Sequence, residues 1–215
     1  MKLFIGNKNY SSWSLRAWLV LEHLNIDAQI IPLKLFTENF YSELSGISAT
    51  KKVPALKDGD FNLCESLAIA EYINETYCNG RGWPKENKKR AHARALSAEM
   101  ISSFHALRNA MPMNIRAKRW VNIDTAVQKD IQRIDAIFNL ASQQKGGYLF
   151  GDWSIVDAMY APVVLRFVTY GVFLSPNAQH YCEHVMQCPI LQKWITEALK
   201  ETDIVPEDEA GIERN

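Results

Sequence analysis

Residues 53–66 read VPALKDGDFNLCES, and this stretch decides the fold. The Asp58-Gly59 pair separates two short apolar runs, which is typical of a β-hairpin with a tight turn. Glu65 and Ser66 follow directly, and the residues after them repeat apolar side chains at helical spacing to about residue 77. We expect Ser66 to cap this helix. The stretch therefore predicts a β-β-α unit.

A β-α-β unit is predicted ahead of the hairpin. Residues 3–5 and 28–35 are apolar or β-branched runs, and residues 15–24 between them have helical spacing. The two units together predict an α/β first domain that extends from residue 1 to residue 79.

The second half of the chain is predicted to be helical. Glycines and a proline in residues 78–87 indicate a linker. Beyond it no strand pattern is convincing, and we expect an all-α bundle over residues 88–215. The segments with helical spacing are 88–111, 124–144, 154–170 and 189–200. The last nineteen residues, 197–215, carry seven acids and two bases and are expected to form a loosely held tail.

Composition excludes several classes of function. The 215 residues include 24 Lys plus Arg and 24 Asp plus Glu, so no net field attracts nucleic acid or an anionic membrane. With 47% hydrophobic residues the chain can fill a core. The four cysteines form no C-x-x-C pair, and the N-terminus lacks the pattern of a signal peptide. We expect a cytoplasmic protein without nucleic-acid or membrane partners.

Hydroxyl side chains are concentrated where the first strand meets the first helix. Residues 9–16 read NYSSWSLR, and a helix N-terminus at this edge of an α/β sheet presents free N–H groups and partial positive charge. Ser11 or Ser12 can donate to an anion there. The alternative is a plain helix N-cap.

Two further segments are candidates for ligand binding. If the Val53-Pro54 bond is cis, the main-chain N–H and C=O of Val53 face outward and can pair with an extended peptide; otherwise Pro54 is an ordinary strand edge. Ser66 can bind a ligand carboxylate while Glu65 accepts from an ammonium group. The alternative for this pair is a helix cap beside a solvated acid.

Taken together, these segments resemble the cytosolic glutathione transferases, nearest to the zeta class and its bacterial Ser-type relatives. The resemblance rests on the serine segment, the Val53-Pro54 turn, the sequence ESLAI at 65–69 and GDWSIVDA at 151–158. It implies a thioredoxin-like first domain, a helical second domain and a homodimer. Glutathione would be the co-substrate, with no metal, and a small hydrophobic electrophile the second substrate.

The resemblance also implies roles for individual residues. Ser11, with Ser12 as the near alternative, would donate to the glutathione sulfur as the catalytic hydroxyl. The remainder of glutathione would be bound by Lys52, Val53, Pro54, Glu65 and Ser66. The activity implied is glutathione transfer; the alternatives are a glutathione-dependent cis-trans isomerase, similar to maleylacetoacetate isomerase, and a non-catalytic glutathione-binding module.

Three positions depart from the zeta pattern. Trp13 stands where the pattern has a cysteine, so thiol chemistry by the protein itself is not expected. Trp18 replaces an expected arginine, which weakens the isomerase reading. Lys52 replaces a glutamine, and its ammonium group can reach the glycyl carboxylate of glutathione as a point charge.

Two further sets of residues are candidates for binding roles. Four residues are candidates for lining the second-substrate site, although core packing is the commoner role for such side chains: Met100, Phe104, Met111 and Met113. His180, His184 and Cys188 recur every four residues and offer at most three metal ligands on one helix face, the basis of an alternative metal-protein hypothesis.

Overall fold

The computed structural model describes residues 1–214, so Asn215, the last residue of the predicted helical domain and acidic tail, lies outside it. The strands in these residues are β1 Lys2–Ile5, β2 Gln29–Pro32, β3 Ala55–Asp58, β4 Phe61–Cys64, β5 Arg119–Trp120 and β6 Ile212–Glu213. The helices are α1 Ser12–His23, α2 Glu38–Glu43, α3 Ser66–Cys78, α4 Asn87–Ser102, α5 His105–Ala110, α6 Thr125–Phe138, α7 Ile155–Tyr170, α8 Pro176–Met186 and α9 Pro189–Ala198. Short 3-10 turns occupy Asn139–Gln143 and Pro206–Asp208.

The main sheet has four strands in the order β2-β1-β3-β4. The pair β1–β2 is parallel, as a β-α-β unit requires, and β3 is antiparallel to both β1 and β4. Asp58 pairs with Phe61 across the Gly59-Asp60 turn, so the predicted hairpin is confirmed. This mixed sheet with α1, α2 and α3 is the predicted thioredoxin-like arrangement.

Both faces of the sheet are covered because successive side chains of a strand point in opposite directions. Leu3 and Ile5 of β1 join the large core formed with α1, α3 and the later helices. Phe4, between them, packs on the other face in a smaller cluster with Phe40 of α2 and the buried Leu44. The sheet is thus the central layer of an α/β/α sandwich.

Helix α7 is the centre of the helical part. All of its residues except Val168 are buried, as the nearly continuous apolar sequence predicts. The three-residue spacing of Ser154 and Asp157 predicts a capping box at its N-terminus, and the structure contains it: Asp157 Oδ2 accepts from the Ser154 N–H at 2.9 Å. Asp157 also accepts from Leu149 N–H and the Tyr181 hydroxyl, both at 3.1 Å.

Several helix boundaries differ from the predicted ones. The expected helix over 88–111 is interrupted at Ser103 and Phe104, whose positive φ of 60° is incompatible with a continuing α-helix. The expected helix over 124–144 ends as an α-helix at Phe138 and continues as a 3-10 turn. The short elements α2, β5 and β6 were not predicted, because their sequences are too short to show a clear period, and α8 was implied only by the helix face that His180 and His184 were expected to share.

Candidate active site

The three candidate segments lie at one end of the main sheet. Phe4, near the end of β1, pairs with Ala55 at the start of β3, and Ala55 pairs with Cys64 at the end of β4. The serine segment follows β1, the Val53-Pro54 turn precedes β3, and Glu65 follows β4. The antiparallel register therefore brings together residues that are more than fifty positions apart in the sequence.

Ser11 occupies the N-cap of α1, and its hydroxyl belongs to a short relay. Ser11 Oγ donates to Ser14 Oγ at 2.7 Å, and Ser14 Oγ also accepts from the Gly6 N–H at 3.0 Å. Both serines are buried, with Ser14 fully enclosed. Because hydroxyl hydrogens rotate, Ser14 can donate to Ser11 and so leave the Ser11 proton available to a ligand.

Ser12 is held from the opposite side by two arginines. Its hydroxyl lies 3.2 Å from Arg166 Nη2, and its carbonyl accepts from Arg16 Nη1 at 3.2 Å. Burial, and then the neighbouring charge of Arg108, lowers the pKa of Arg166 to about 10. Burial, and then the charges of Arg166 and Arg108, holds the pKa of Arg16 well below its ordinary value. The N-terminus of α1 is therefore strongly electropositive.

The Val53-Pro54 peptide bond is cis. Among residues 1–214 the Val53 N–H and C=O form no hydrogen bond with another backbone group, and the Val53 side chain is half-buried. Lys52 is exposed and is positioned through Ser48, whose Oγ accepts from the Lys52 N–H and donates to its carbonyl at 3.2 and 3.0 Å. Both groups of the Val53 main chain thus remain free to pair with a ligand.

Glu65 and Ser66 form the third segment. Glu65 has φ 76° and ψ 121°, a conformation that a side-chain-bearing residue adopts at an energetic cost, and such residues concentrate at ligand-binding sites. Helix α3 begins at Ser66, so the predicted Ser66 cap is wrong: Glu65 is the N-cap and makes no side-chain capping bond. Ser66 is 1% exposed, and its Oγ has no hydrogen-bond partner. A buried hydroxyl without a partner is uncommon and is a candidate for ligand contact.

The acidic tail is firmly held, contrary to the prediction. Glu201 accepts from two successive N–H groups of the loop that precedes Ser11, those of Lys8 at 2.7 Å and Asn9 at 3.0 Å. Arg116 donates to the carbonyls of Glu201 and Asp203. Glu209 accepts from the Tyr10 hydroxyl at 2.5 Å. Four acids of the tail, Glu197, Glu201, Asp203 and Glu209, thus bond to side chains or N–H groups of residues 7–10, which attaches the tail to this loop.

The four candidate lining residues belong to the core instead. Met100, Phe104, Met111 and Met113 are between 0% and 4% exposed and pack in the large hydrophobic cluster. The prediction that they line a second-substrate site is therefore corrected: all four are core residues, and only Met100 lies within a helix.

The histidines and cysteine of the metal hypothesis do not form a ligand set. In the described part of the chain no three or more His, Cys, Asp or Glu side chains are grouped as a metal site would require. The His184 ring packs against Tyr148 at 4.5 Å between centroids, and Cys188 Sγ lies 3.5 Å from His23 Nε2. His184 and Cys188 therefore serve in packing, through these contacts with Tyr148 and His23.

The sequence did not single out four residues that the structure brings to the site. Arg108, Arg166 and Glu201 arrive from distant segments, and no local pattern marks them. Ser14 lies within the quoted serine segment, but the proximity of its hydroxyl to Ser11 depends on the bend between β1 and α1. Its three-residue spacing from Ser11 was the available signal.

Comparison with known proteins identifies the family. A family model described as the glutathione S-transferase N-terminal domain matches residues 10–76. The probable maleylacetoacetate isomerase of Caenorhabditis elegans is 31% identical over 168 residues, which cover 77% of this chain and 78% of that relative. The maleylacetoacetate isomerase of Rattus norvegicus is 32% identical over 170 residues, with 77% of each chain covered. The chain belongs to the glutathione transferase family.

Solved glutathione transferases have the same fold. A homologue from Burkholderia gl BGR1, determined with bound glutathione, superimposes with a TM-score of 0.71 at 27% identity, covering 92% of this chain and 97% of the homologue. A maleyl pyruvate isomerase, described as a bacterial glutathione S-transferase of the zeta class, has a TM-score of 0.71 at 20% identity. The match covers 94% of this chain and 100% of that protein. The resemblance drawn from the sequence is thereby confirmed.

None of the helices in residues 1–214 combines the length and the apolar character that crossing a lipid bilayer requires.

Proposed function

We propose that this chain binds glutathione at the end of the sheet and activates its thiol as a thiolate. The observation that carries the proposal is the convergence of the three segments at one end of the sheet, where two of the groups have no partner and the Ser11 hydroxyl bonds only Ser14. They offer the Ser11 hydroxyl, the Val53 main chain and the Ser66 hydroxyl. These groups match a peptide that carries a thiol in one place and an α-amino acid in another.

The peptide part of glutathione would extend along the Val53-Pro54 turn. Its cysteinyl main chain would pair with the N–H and C=O of Val53, as an added strand does. The γ-glutamyl carboxylate would accept from the Ser66 N–H and hydroxyl at the α3 N-terminus, and Glu65 would accept from the ammonium group. Lys52, which is exposed and has its main chain held by Ser48, would pair with the glycyl carboxylate.

The sulfur would lie at the N-terminus of α1. An ordinary thiol pKa of about 8.5 leaves only a few per cent ionised at pH 7, and lowering it by about two units takes about 2.7 kcal/mol. One hydrogen bond to a charged acceptor together with a helix N-terminus supplies this much. Ser11 is the donor we assign, because Ser14 can polarise its hydroxyl; Ser12 is the near alternative.

In the transferase reaction the thiolate attacks an electrophilic carbon. A carbon–sulfur bond forms, and the leaving group departs with the bonding electrons or, in an addition, the substrate takes up a proton. The thiol proton is released to solvent before the attack, so no general base is needed.

A glutathione-dependent isomerase is the second candidate, favoured by the names of the relatives that match over most of the chain. In that reaction the thiolate adds to one carbon of a double bond, the resulting single bond rotates, and the same carbon–sulfur bond breaks. Glutathione is regenerated unchanged. Trp13 and Trp18, in place of the cysteine and arginine of the zeta pattern, argue against a close match to the relatives' chemistry.

Calorimetry with glutathione tests the binding site. We expect wild type to bind, Ser66→Ala to bind about tenfold more weakly, and Ser102→Ala, whose hydroxyl bonds only its own helix, to be unchanged. Assays of conjugation and of cis-trans isomerisation then separate the two reactions. Binding without turnover in either assay would favour a non-catalytic glutathione-binding module, and no binding at millimolar glutathione would contradict the proposal.

A homodimer belongs to the same proposal. Phe61 on the edge strand β4 is 47% exposed, and Tyr77 on α3 is 42% exposed. The Phe61 ring also packs against the Tyr72 ring of α3 in a tilted arrangement, with centroids 5.0 Å apart, so the two elements share an aromatic surface. Such surfaces are typical of interfaces. Light scattering after size exclusion should give twice the monomer mass for wild type. The Phe61→Glu variant should give the mass of a single monomer.

A further inference from the structure

A polar cavity of about 400 Å³ lies between residues 114–119 and the C-terminal segment, residues 202–214. Its volume is in the range of pockets that hold small molecules. None of the residues assigned to glutathione lines it. Six of its lining residues are charged, four of them cationic and two acidic: Arg116, Lys118, Arg119 and Arg214, with Glu209 and Glu213. The lining therefore carries an excess of two positive charges, although the formal net charge of the chain is zero.

Most of this positive charge is not paired with a carboxylate. Three of the four cations form no salt bridge within residues 1–214: Arg116, Lys118 and Arg214. Arg116 donates to neutral acceptors, which are two main-chain carbonyls and the Tyr10 hydroxyl. Partial burial, and then the neighbouring charge of Arg214, lowers the pKa of Lys118. The cations therefore repel one another, and an anion bound in the cavity would relieve this repulsion.

Arg119 is the fourth cation, and Glu209 bonds only one of its nitrogens. Arg119 Nη2 donates to Glu209 Oε2, and within residues 1–214 its other side-chain nitrogens have no acceptor. Glu209 Oε1 is already occupied, because it accepts from the Tyr10 hydroxyl and from Asn114 Nδ2. Glu213 pairs with Arg119 across β5 and β6, but it is exposed and forms no salt bridge in the described part of the chain. The two acids thus leave donors of the cavity unsatisfied.

A phosphate group matches this cavity in charge and in hydrogen bonding. A phosphate monoester carries about 1.5 to 2 negative charges at pH 7, which balances the positive excess of the lining. Its oxygens accept hydrogen bonds from several guanidinium and ammonium groups at once. A monocarboxylate would leave one positive charge of the lining unbalanced. Ile204, which is 69% exposed and also lines the cavity, offers an apolar contact to an organic group attached to the phosphate.

We propose that this cavity binds a phosphate group through Lys118, Arg119, Arg214 and Arg116. Free phosphate and the phosphate of a small ester present the same oxygens to these donors. The site is separate from the proposed glutathione site and does not rest on it. Because Arg116 also donates to the Tyr10 hydroxyl, a bound phosphate would lie next to the contacts that hold the loop before Ser11.

Calorimetry with phenyl phosphate and benzenesulfonate tests the site. The two ligands have the same shape and differ by about one negative charge at pH 7. The full chain is titrated without glutathione at constant ionic strength. Wild type should bind phenyl phosphate about tenfold more tightly than benzenesulfonate. Inorganic phosphate, titrated in parallel, identifies the source: binding as tight as that of phenyl phosphate indicates free phosphate, and weaker binding indicates an ester.

Variants of the cavity assign the binding to its cations. Lys118→Gln and Arg214→Gln should each weaken the binding of phenyl phosphate about tenfold, because each removes a hydrogen bond to a charged acceptor. Lys118→Arg should retain most of the affinity. Lys118 is exposed, so its replacement should leave the fold intact. Lys129→Gln is the matched control, since it removes the same charge from an exposed site on α6 and should leave the affinity unchanged.

Three results would overturn the proposal. The first is equal binding of phenyl phosphate and benzenesulfonate to wild type. The second is an equal loss of affinity in Lys118→Gln and Lys129→Gln, because the binding would then depend on net charge and not on the cavity. The third is that neither phenyl phosphate nor inorganic phosphate binds wild type at millimolar concentration.

Discussion

The Ser11 hydroxyl lies 2.7 Å from the Ser14 hydroxyl, which in turn accepts a hydrogen bond from the Gly6 N–H. This relay connects the end of β1 with the first turn of α1 and is buried throughout. When a bound anion accepts the Ser11 proton, the Ser14 hydroxyl can rotate to donate to Ser11, and the chain then makes Ser11 a better donor. The proposed thiolate site therefore depends on Ser14 as well as on Ser11.

Replacement of Ser14 should weaken the relay without removing the catalytic hydroxyl. In Ser14→Ala the pKa of the bound glutathione thiol should rise by about half a unit to one unit, because one neutral hydrogen bond contributes about 1 kcal/mol. Ultraviolet titration of the thiolate measures this. Ser14→Thr, which keeps the hydroxyl, is the control, and an unchanged pKa in Ser14→Ala would show that the relay has no influence on the sulfur.

Glu201 should position the loop before Ser11. The two carboxylate oxygens of Glu201 accept from the Lys8 N–H and the Asn9 N–H respectively, so Glu201→Gln keeps one acceptor and puts an NH₂ donor against the other N–H. We expect kcat/KM for conjugation to fall about tenfold, with a thiol pKa that moves toward the free value. Glu75→Gln, at an exposed site on α3, should have no effect. A uniform loss of stability with normal kinetics in the folded fraction would contradict the positioning role.

Ser66→Ala distinguishes a ligand contact from a structural one. The Ser66 hydroxyl has no partner in the protein, so its removal should leave the free energy of unfolding unchanged or slightly increased. Affinity for glutathione should nevertheless fall about tenfold. Urea unfolding and calorimetry measure the two quantities. A loss of stability of about 1 kcal/mol or more would indicate that the hydroxyl serves the fold.

Asp157 should make stability depend on pH. Burial raises the pKa of this carboxyl from 3.8 to about 6, against the hydrogen bonds that favour its charged form. Between these values the folded protein binds more protons than the unfolded chain, so stability falls as pH rises through that window. The free energy of unfolding of wild type relative to Asp157→Asn should decrease by about 2 kcal/mol from about pH 4 to about pH 7.

Comparing wild type with Asp157→Asn isolates the contribution of Asp157 to the pH dependence of stability. Asp208, whose pKa burial also raises to about 6, titrates in both and cancels. Urea unfolding at the two pH values is the measurement. A difference that increases with pH would mean that the hydrogen bonds from Leu149, Ser154 and Tyr181 outweigh burial.

The sequence predicted the parts of the fold that depend on local chemistry. The Asp58-Gly59 turn, the strands on either side and the capping box at Ser154 are short-range features, and the structure contains all three. The predicted site segments lie at one end of the sheet for the same reason, since each adjoins a strand end that the sequence identified. Their roles in glutathione binding, and the boundary between residues 79 and 88, stay predictions.

Contacts of charged residues that lie far apart in the sequence could not be predicted from local patterns. Arg166 lies 154 positions from Ser12, and Glu201 lies 192 positions from Asn9, so neither spacing carries a signal in a single sequence. The acidic tail was misjudged for this reason: its composition is the same whether its carboxylates meet water or meet backbone N–H groups. Positive φ at Glu65 and Phe104 was equally invisible, because neither residue type favours it.

Titration of the thiol of bound glutathione in the wild-type protein tests the central claim most directly. The account predicts half-ionisation about two pH units below the free thiol, near pH 6.5, and a value close to that of the free thiol in Ser11→Ala. A bound thiol that ionises in wild type at the same pH as free glutathione would contradict it.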